Sequence, residues 1–354
     1  MQKKAENVKY CFQKRLCFIG FNLLLSLFAL FVCRFNSLYA EKLDGIVGEP
    51  LRELLCALSS AFAFSVFERI LLFLPLIVLL IFLISFLYAS SPRRAAAFLL
   101  LIVSVFSCLF SVYTFSYGIA YRKEPFYRDM GMAKTEPSSE GLYLAALSVL
   151  SGISDCDFAR ESEEMPLTPS ALEAELSEAY ERCFDKKMPE RRLKLSQSDL
   201  LSRFGLSGLY FPLFAEISIN SEMPGYNIPS TAAHELAHSL GIAREGEASF
   251  FAFLLCINSD EPYIRYSGYL LAYEHLSSAL WKQSPQLYRE AAKLLSPSAA
   301  EDILRDREYR AASEDTAATK LLDGVREAHI AASAGKKFGY SFLTELLVAY
   351  YGDR

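Results

Sequence analysis

Histidine is scarce in this chain, with four in 354 residues, and tryptophan occurs once. The eight cysteines show no spacing of a metal ribbon or a redox pair. Only Cys156, Cys183 and Cys256 follow the apolar N-terminal third; an odd number predicts no disulfide framework, although Cys156 and Cys183 could form one bridge. No internal repeat or low-complexity tract is present, which excludes a repeat architecture. Basic charge is lacking where nucleic acid would need it: up to residue 120 there are 11 basic and 6 acidic residues, and after it 25 and 35. An acidic second part without a basic stripe argues against a nucleic-acid partner.

Charge of either sign is missing from three long runs. There are 18 uncharged residues between Arg15 and Arg34, 23 between Arg69 and Arg93, and 27 between Arg94 and Arg122, rich in Leu, Phe, Ile, Val and Ala. At about 1.5 Å per residue each can cross a hydrocarbon core of about 30 Å. Three transmembrane helices are predicted, about Leu16 to Cys33, Ile70 to Ala89 and Ala97 to Tyr117, with the lipid bilayer as an obligatory partner. The first span is read as an uncleaved anchor, because its apolar run exceeds a signal-peptide core and Leu38-Tyr39-Ala40 is a poor cleavage site. Lys3, Lys4, Lys9, Lys14 and Arg15 at the N-terminus, and Arg93-Arg94 between the second and third spans, place those segments in the cytoplasm. The loop between the first two spans is net acidic. Residues 1–121 are therefore expected to form a membrane domain and residues 122–354 an extracytoplasmic domain of a bacterial cell membrane protein.

Half of the histidines stand together, in His234-Glu235-Leu236-Ala237-His238. Two imidazoles four residues apart lie on one face of a helix and can grip one metal ion, and the glutamate between them reaches the ion's open side. This is the HExxH pattern of zinc peptidases; the plain alternative is a helix whose histidines only form hydrogen bonds. Pro229-Ser230-Thr231 supplies a turn and a hydroxyl N-cap, and Gly241 a C-terminal stop.

A catalytic zinc site takes three protein ligands. His275 and His329 lie far down the chain, whereas Glu247 follows the stop glycine closely and shares helical spacing with Phe250, Phe251 and Leu254, the mark of a buried face. Glu245 is the weaker candidate, since it precedes Gly246 and is expected in the turn. For either, the alternative is a solvated glutamate favoured by the helix dipole.

The strand-like segment Gly208 to Asn220 contains Pro212, so an edge strand or a short hairpin is expected. In many zinc peptidases an edge strand beside the metal helix pairs with extended substrate. Helices are expected at Leu142 to Ile153, from Thr168 to about Phe184, and after Asn258 over Tyr263 to Trp281, Gln286 to Leu295, Ser298 to Arg310, Thr316 to Ser333 and Tyr340 to Tyr351. Tyr266, Tyr269 and Tyr273 repeat on one face. Such a stripe is commonly core, but Tyr266 is also the candidate phenol for steadying a tetrahedral intermediate.

The three N-terminal spans, RRLKLS at Arg191 to Ser196, Gly208-Leu209-Tyr210, Glu216 to Asn220, HELAHSLGIAR at His234 to Arg244, Glu247-Ala248 and Tyr266-Ser267-Gly268-Tyr269 together resemble the bacterial membrane family called domain of unknown function thirty-eight-ten. That family is similar to zincin-type metallopeptidases. The resemblance implies a mainly α fold with a small β part, of the gluzincin type, with His234, His238 and Glu247 as zinc ligands and Glu235 as catalytic acid/base. The expected function is zinc-dependent hydrolysis of a peptide or protein substrate. Its rivals are a catalytically silent metal-binding sensor or assembly factor, and a three-span protein whose helical domain binds no metal. Nothing in the sequence sets the oligomeric state.

Overall fold

The computed structural model describes residues 2–89, 91–133, 136–157, 164–197, 199–313, 319–320, 324 and 341–352. The helix expected over residues 316–333, with His329, lies almost entirely outside these. The described chain is mainly helical, with one small sheet.

Three helices are long and apolar enough to span a membrane: residues Phe12–Phe35 of α1 (Gln2–Phe35), α4 (Val66–Tyr88), and α5 (Pro92–Tyr113) with the π-helical turn Thr114–Gly118 that continues it. Their outward apolar side chains remain exposed in the isolated chain, as lipid-facing residues should be. Between the first two spans run α2 (Ser37–Leu43), a π-helical turn Asp44–Gly48 and α3 (Glu49–Ser60). Beyond the third lie α6 (Phe126–Asp129), α7 (Ser139–Cys156) and α8 (Pro169–Phe184), the latter capped by the Thr168 hydroxyl, which accepts from the Ala171 amide.

The sheet is built from β1 (Leu193–Leu195), β2 (Gly208–Phe211) and β3 (Glu216–Ile219), with α9 (Leu200–Arg203) between the first two. Its order is β1-β3-β2: β3 is central, parallel to β1 and antiparallel to β2. The segment holding Pro212 is thus a hairpin, with the proline in the turn, where its missing N–H costs no ladder bond. Ala215 closes the turn at φ 47°. The remaining helices are α10 (Ile228–Ser239), α11 (Glu245–Ile257), α12 (Pro262–Gln283), α13 (Pro285–Ala292), α14 (Pro297–Ser313) and α15 (Ser341–Gly352). Helix α10 starts a turn earlier than its serine and threonine suggest. A buried N-terminal donor that the helix leaves without an internal partner is satisfied from outside, the Ser230 amide donating to the Ser267 hydroxyl of α12 at 3.0 Å.

Helix α11 is apolar all round because it lies between two cores. Phe250, Phe253 and Leu254 pack with α7, α12 and α15; Ala248, Phe251, Ala252 and Leu255 pack with the sheet, α8 and α10. The second core also takes in Cys56, Tyr117, Ala120 and Tyr121, so packing crosses the boundary expected at residue 121. Cys156 and Cys183 are both free thiols.

Two buried ion pairs lie where the inter-span segment meets the rest of the chain. Asp44 receives Arg52 Nη1 at 2.6 Å and Lys123 Nζ at 2.8 Å, and Arg52 also donates to the Ser116 carbonyl. Burial is the largest influence on Asp44 and pushes its carboxyl up, but the two cations outweigh it and hold it below the ordinary range. Gly241 covers this pair at φ 85°; a Cβ there would meet Arg52 Nη2 at 2.9 Å. The second pair, Lys194 with Glu216, is 2.7 Å long. Glu216 also accepts from the Ser65 hydroxyl and the Val66 and Phe67 amides, so a carboxylate of the central strand caps the second span.

Removing one member of a buried pair strands the other charge. Asp44→Ala, which leaves the buried Arg52 guanidinium without its carboxylate, should lower stability by about 3 kcal/mol at pH 7, read from thermal unfolding in detergent micelles. Asp44 and Glu216 are both depressed, so the stability they contribute should be present above their unfolded values of 3.8 and 4.5 and be lost as pH falls below them. Asp44→Asn should flatten that acid limb; an unchanged limb would contradict the assignment.

Candidate metal centre

Helix α10 presents His234 and His238 from one face, their rings perpendicular with centroids 4.7 Å apart. The chain then turns at Gly241 and α11 begins at Glu245, whose Oε2 lies 3.3 Å from His234 Nε2 and 3.9 Å from His238 Nε2. One ligand atom from each of these three residues falls within 4.8 Å of the others, as donors around a single ion would.

The outer nitrogens are held from behind. His238 Nδ1 lies 2.8 Å from the Ile242 carbonyl, which can only accept; this fixes the proton on Nδ1 and leaves the Nε2 lone pair facing Glu245. The Tyr117 hydroxyl, from the π-turn ending the third span, lies 3.1 Å from the same Nδ1. His234 Nδ1 lies 3.1 Å from the Ser249 hydroxyl, which donates or accepts and so suits either tautomer. Burial, with a smaller contribution from His234, holds the His238 pKa below the ordinary imidazole value and favours the neutral form. Two imidazoles with outer-nitrogen partners and one carboxylate form a donor set that fits a divalent metal ion.

Glu235, between the two histidines on α10, reaches the sheet. Its Oε2 accepts the Tyr210 amide at 2.6 Å, tying α10 to strand β2. The approach is close enough to require Gly208: a Cβ there would meet Thr231 Cγ2 at 2.8 Å and Glu235 Cγ at 3.0 Å. The hairpin's outer strand therefore runs alongside the histidine helix, as expected for an edge strand.

Two expected site residues are elsewhere. Glu247 does not join the histidines: its carboxylate is 3.2 Å from Arg244 Nη1 and lines a separate cavity of about 760 Å³ to which neither histidine contributes. Burial raises its pKa despite that arginine. The reason is register. Helix α11 starts at Glu245, not after Gly246, so Glu245 opens toward α10 and the residue two further on is turned roughly 200° away. Tyr266 is wholly buried and donates to Asp302 Oδ2 at 2.7 Å, so it is a core phenol rather than a candidate for the reacting centre. His275 is half-buried on α12; burial first, then Arg310 and His234, push it down to about 4.

The residues missed from sequence are Tyr117, Ser249 and the Tyr210 amide. Tyr117 carried one signal: its uncharged run of 27 residues exceeds what a bilayer needs, so its end had to emerge.

A family model described as "Protein of unknown function (DUF3810)" matches residues 47–330. The chain belongs to that family. The match begins inside the segment joining the first two spans and takes in the sheet, both histidines, Glu235 and Glu245. No curated protein and no solved structure matches it.

The geometry distinguishes the two glutamates experimentally. Glu245→Gln should weaken binding of a divalent ion by at least about tenfold in competition with a chromogenic chelator, because a charged oxygen donor is lost. Glu247→Gln should leave that affinity within about threefold. The reverse order would restore Glu247 as the third donor.

Proposed function

We propose that this protein is a membrane-anchored zinc peptidase, with His234, His238 and Glu245 as metal ligands and Glu235 as general base. The observation that carries the reading is the three-donor cluster with a second carboxylate, that of Glu235, between the imidazoles in the same helix and beside an edge strand. Zinc at this donor set would supply Lewis acidity, bringing the pKa of water there toward about 7 and polarising a carbonyl oxygen. Glu235 takes one proton from the attacking water and delivers it to the departing amine nitrogen. The water oxygen ends in the new carboxyl group and the C–N bond breaks. Ile242, Ser249 and Tyr117 keep the imidazoles oriented through their outer nitrogens.

Charge bias supports a cytoplasmic N-terminus and an extracytoplasmic metal centre, since three crossings put the residues after Gly118 opposite to the N-terminus and to Arg93-Arg94. A reporter enzyme fused after Arg354 should accordingly be active only if it works outside the cytoplasm; activity of a cytoplasm-specific reporter at that position would reverse the orientation.

A second reading, a catalytically silent metal-binding scaffold that holds a protein partner, is favoured by one observation: Glu235 accepts a backbone amide at 2.6 Å and so has a structural task. Glu235→Gln separates the two. It keeps an oxygen acceptor for the Tyr210 amide and removes the proton acceptor. Zinc should stay at about one per chain while peptide hydrolysis falls at least about a hundredfold. If the variant complements a deletion strain as well as the native protein does, the scaffold reading replaces the peptidase.

A further inference from the structure

Three contacts tie the histidine cluster to the ends of the second and third apolar helices. The Phe211 ring, at the end of β2, lies 4.9 Å from the ring of Phe67 in the first turn of the second span. The next residue, Pro212, accepts at its carbonyl from the Ser116 hydroxyl at 3.2 Å, in the π-turn that ends the third span. One residue further along that turn, Tyr117 meets His238.

These residues lie at the edge of the hydrocarbon. Counting from the Arg93-Arg94 end, Ser116 is about 22 residues along its helix, and Phe67 is about 21 residues from the opposite end of α4; at about 1.5 Å per residue both stand about 32 Å away, at the far border of a core about 30 Å thick. The hairpin turn that rests on them is apolar, Phe211-Pro212-Leu213-Phe214. Exposed Leu54, Leu58 and Phe62 occur on the segment joining the first two spans, at this same end.

Strand β2 therefore links the end of the second apolar helix to the helix of the histidines. Its inner side pairs with β3, and among the described residues no strand covers its outer side, where Glu235 holds the Tyr210 amide and Gly208 abuts α10. The Tyr210 amide that bonds Glu235 is one residue above the residue on Phe67, a step of about 3.3 Å. A chain added along this edge has one end at head-group level.

Resting on the peptidase reading, we propose that the substrate is the juxtamembrane stretch of a polypeptide anchored in the same bilayer, lying along β2 and cut within about eight residues of its own span. A soluble peptide has no such constraint and would gain nothing from a site built on span ends. Anchoring also confines the substrate to the surface where the centre lies, raising its effective concentration.

The test uses the full-length protein with zinc in liposomes, co-reconstituted with a single-span polypeptide bearing a randomised 25-residue extracytoplasmic stretch. The same randomised stretch is supplied as free peptide in parallel. Cuts abolished by Glu235→Gln should cluster within about eight residues of the span and form at least about tenfold faster than in free peptide. Glu235-dependent cuts spread evenly along the stretch, or equal rates on free peptide, would overturn the juxtamembrane proposal and leave the peptidase intact. Absence of any Glu235-dependent cut would overturn both. A second measurement reads the seat of the site without activity: with Trp281→Phe as background, Phe214→Trp fluorescence should be quenched by lipids brominated in the upper acyl chain, and Leu144→Trp on α7 should not. Equal quenching of the two, or none, would overturn the membrane-level placement.

Discussion

The buried carboxylate of Glu216 joins the membrane part of this protein to the part that carries the histidines. A lone carboxylate taken out of water costs several kcal/mol, so its position is dictated by whatever neutralises it. Here Lys194 from β1, Ser65 and the first two amides of α4 do so together. The same group thus fixes the central strand, the neighbouring strand and the top of a span relative to one another. Strand β2 follows by pairing with β3, α10 by its bond from Glu235 to the Tyr210 amide, and α11 by packing behind α10. The Asp44–Arg52 pair reinforces the connection from the other side, beneath the Gly241 turn.

Much of this arrangement was legible in the sequence. Spans declare themselves by length and absence of charge, the hairpin by Pro212 inside a β-rich run, and the histidine pair by spacing, because each depends on neighbours along the chain. The stop at Gly241 was equally plain, since only glycine adopts φ 85° there without strain. The glutamate that stands beside the histidines was not. Choosing Glu247 over Glu245 relied on apolar periodicity, which reports that a face is buried but not against what; the buried partner proved to be Arg244. Tyr266 failed similarly, its hydroxyl satisfied by Asp302, a residue no local pattern connects to it. The segment between the first two spans read as a mere loop, whereas its Arg52 and Cys56 are buried against the second half of the chain.

Helix α11 separates two tasks by its two ends. Its apolar body, set between two cores, cannot rotate without exposing phenylalanines on one side and burying them badly on the other. Its first two turns therefore hold Glu245 and Ser249 toward the imidazoles as a rigid attachment. Placing an acidic residue at a helix N-terminus is also favourable to the helix dipole, so stability and site geometry ask for the same residue type at Glu245.

The contact between Tyr117 and His238 has a mechanical consequence. The third span is a rod about 33 Å long, and spans tilt to match the thickness of the lipid around them. A change in tilt of about 5° would carry the upper end of such a rod sideways by about 3 Å, comparable to the whole length of that contact. In a bilayer-spanning arrangement, a tilt of the third helix would thus reach the His238 ring through a single side-chain contact.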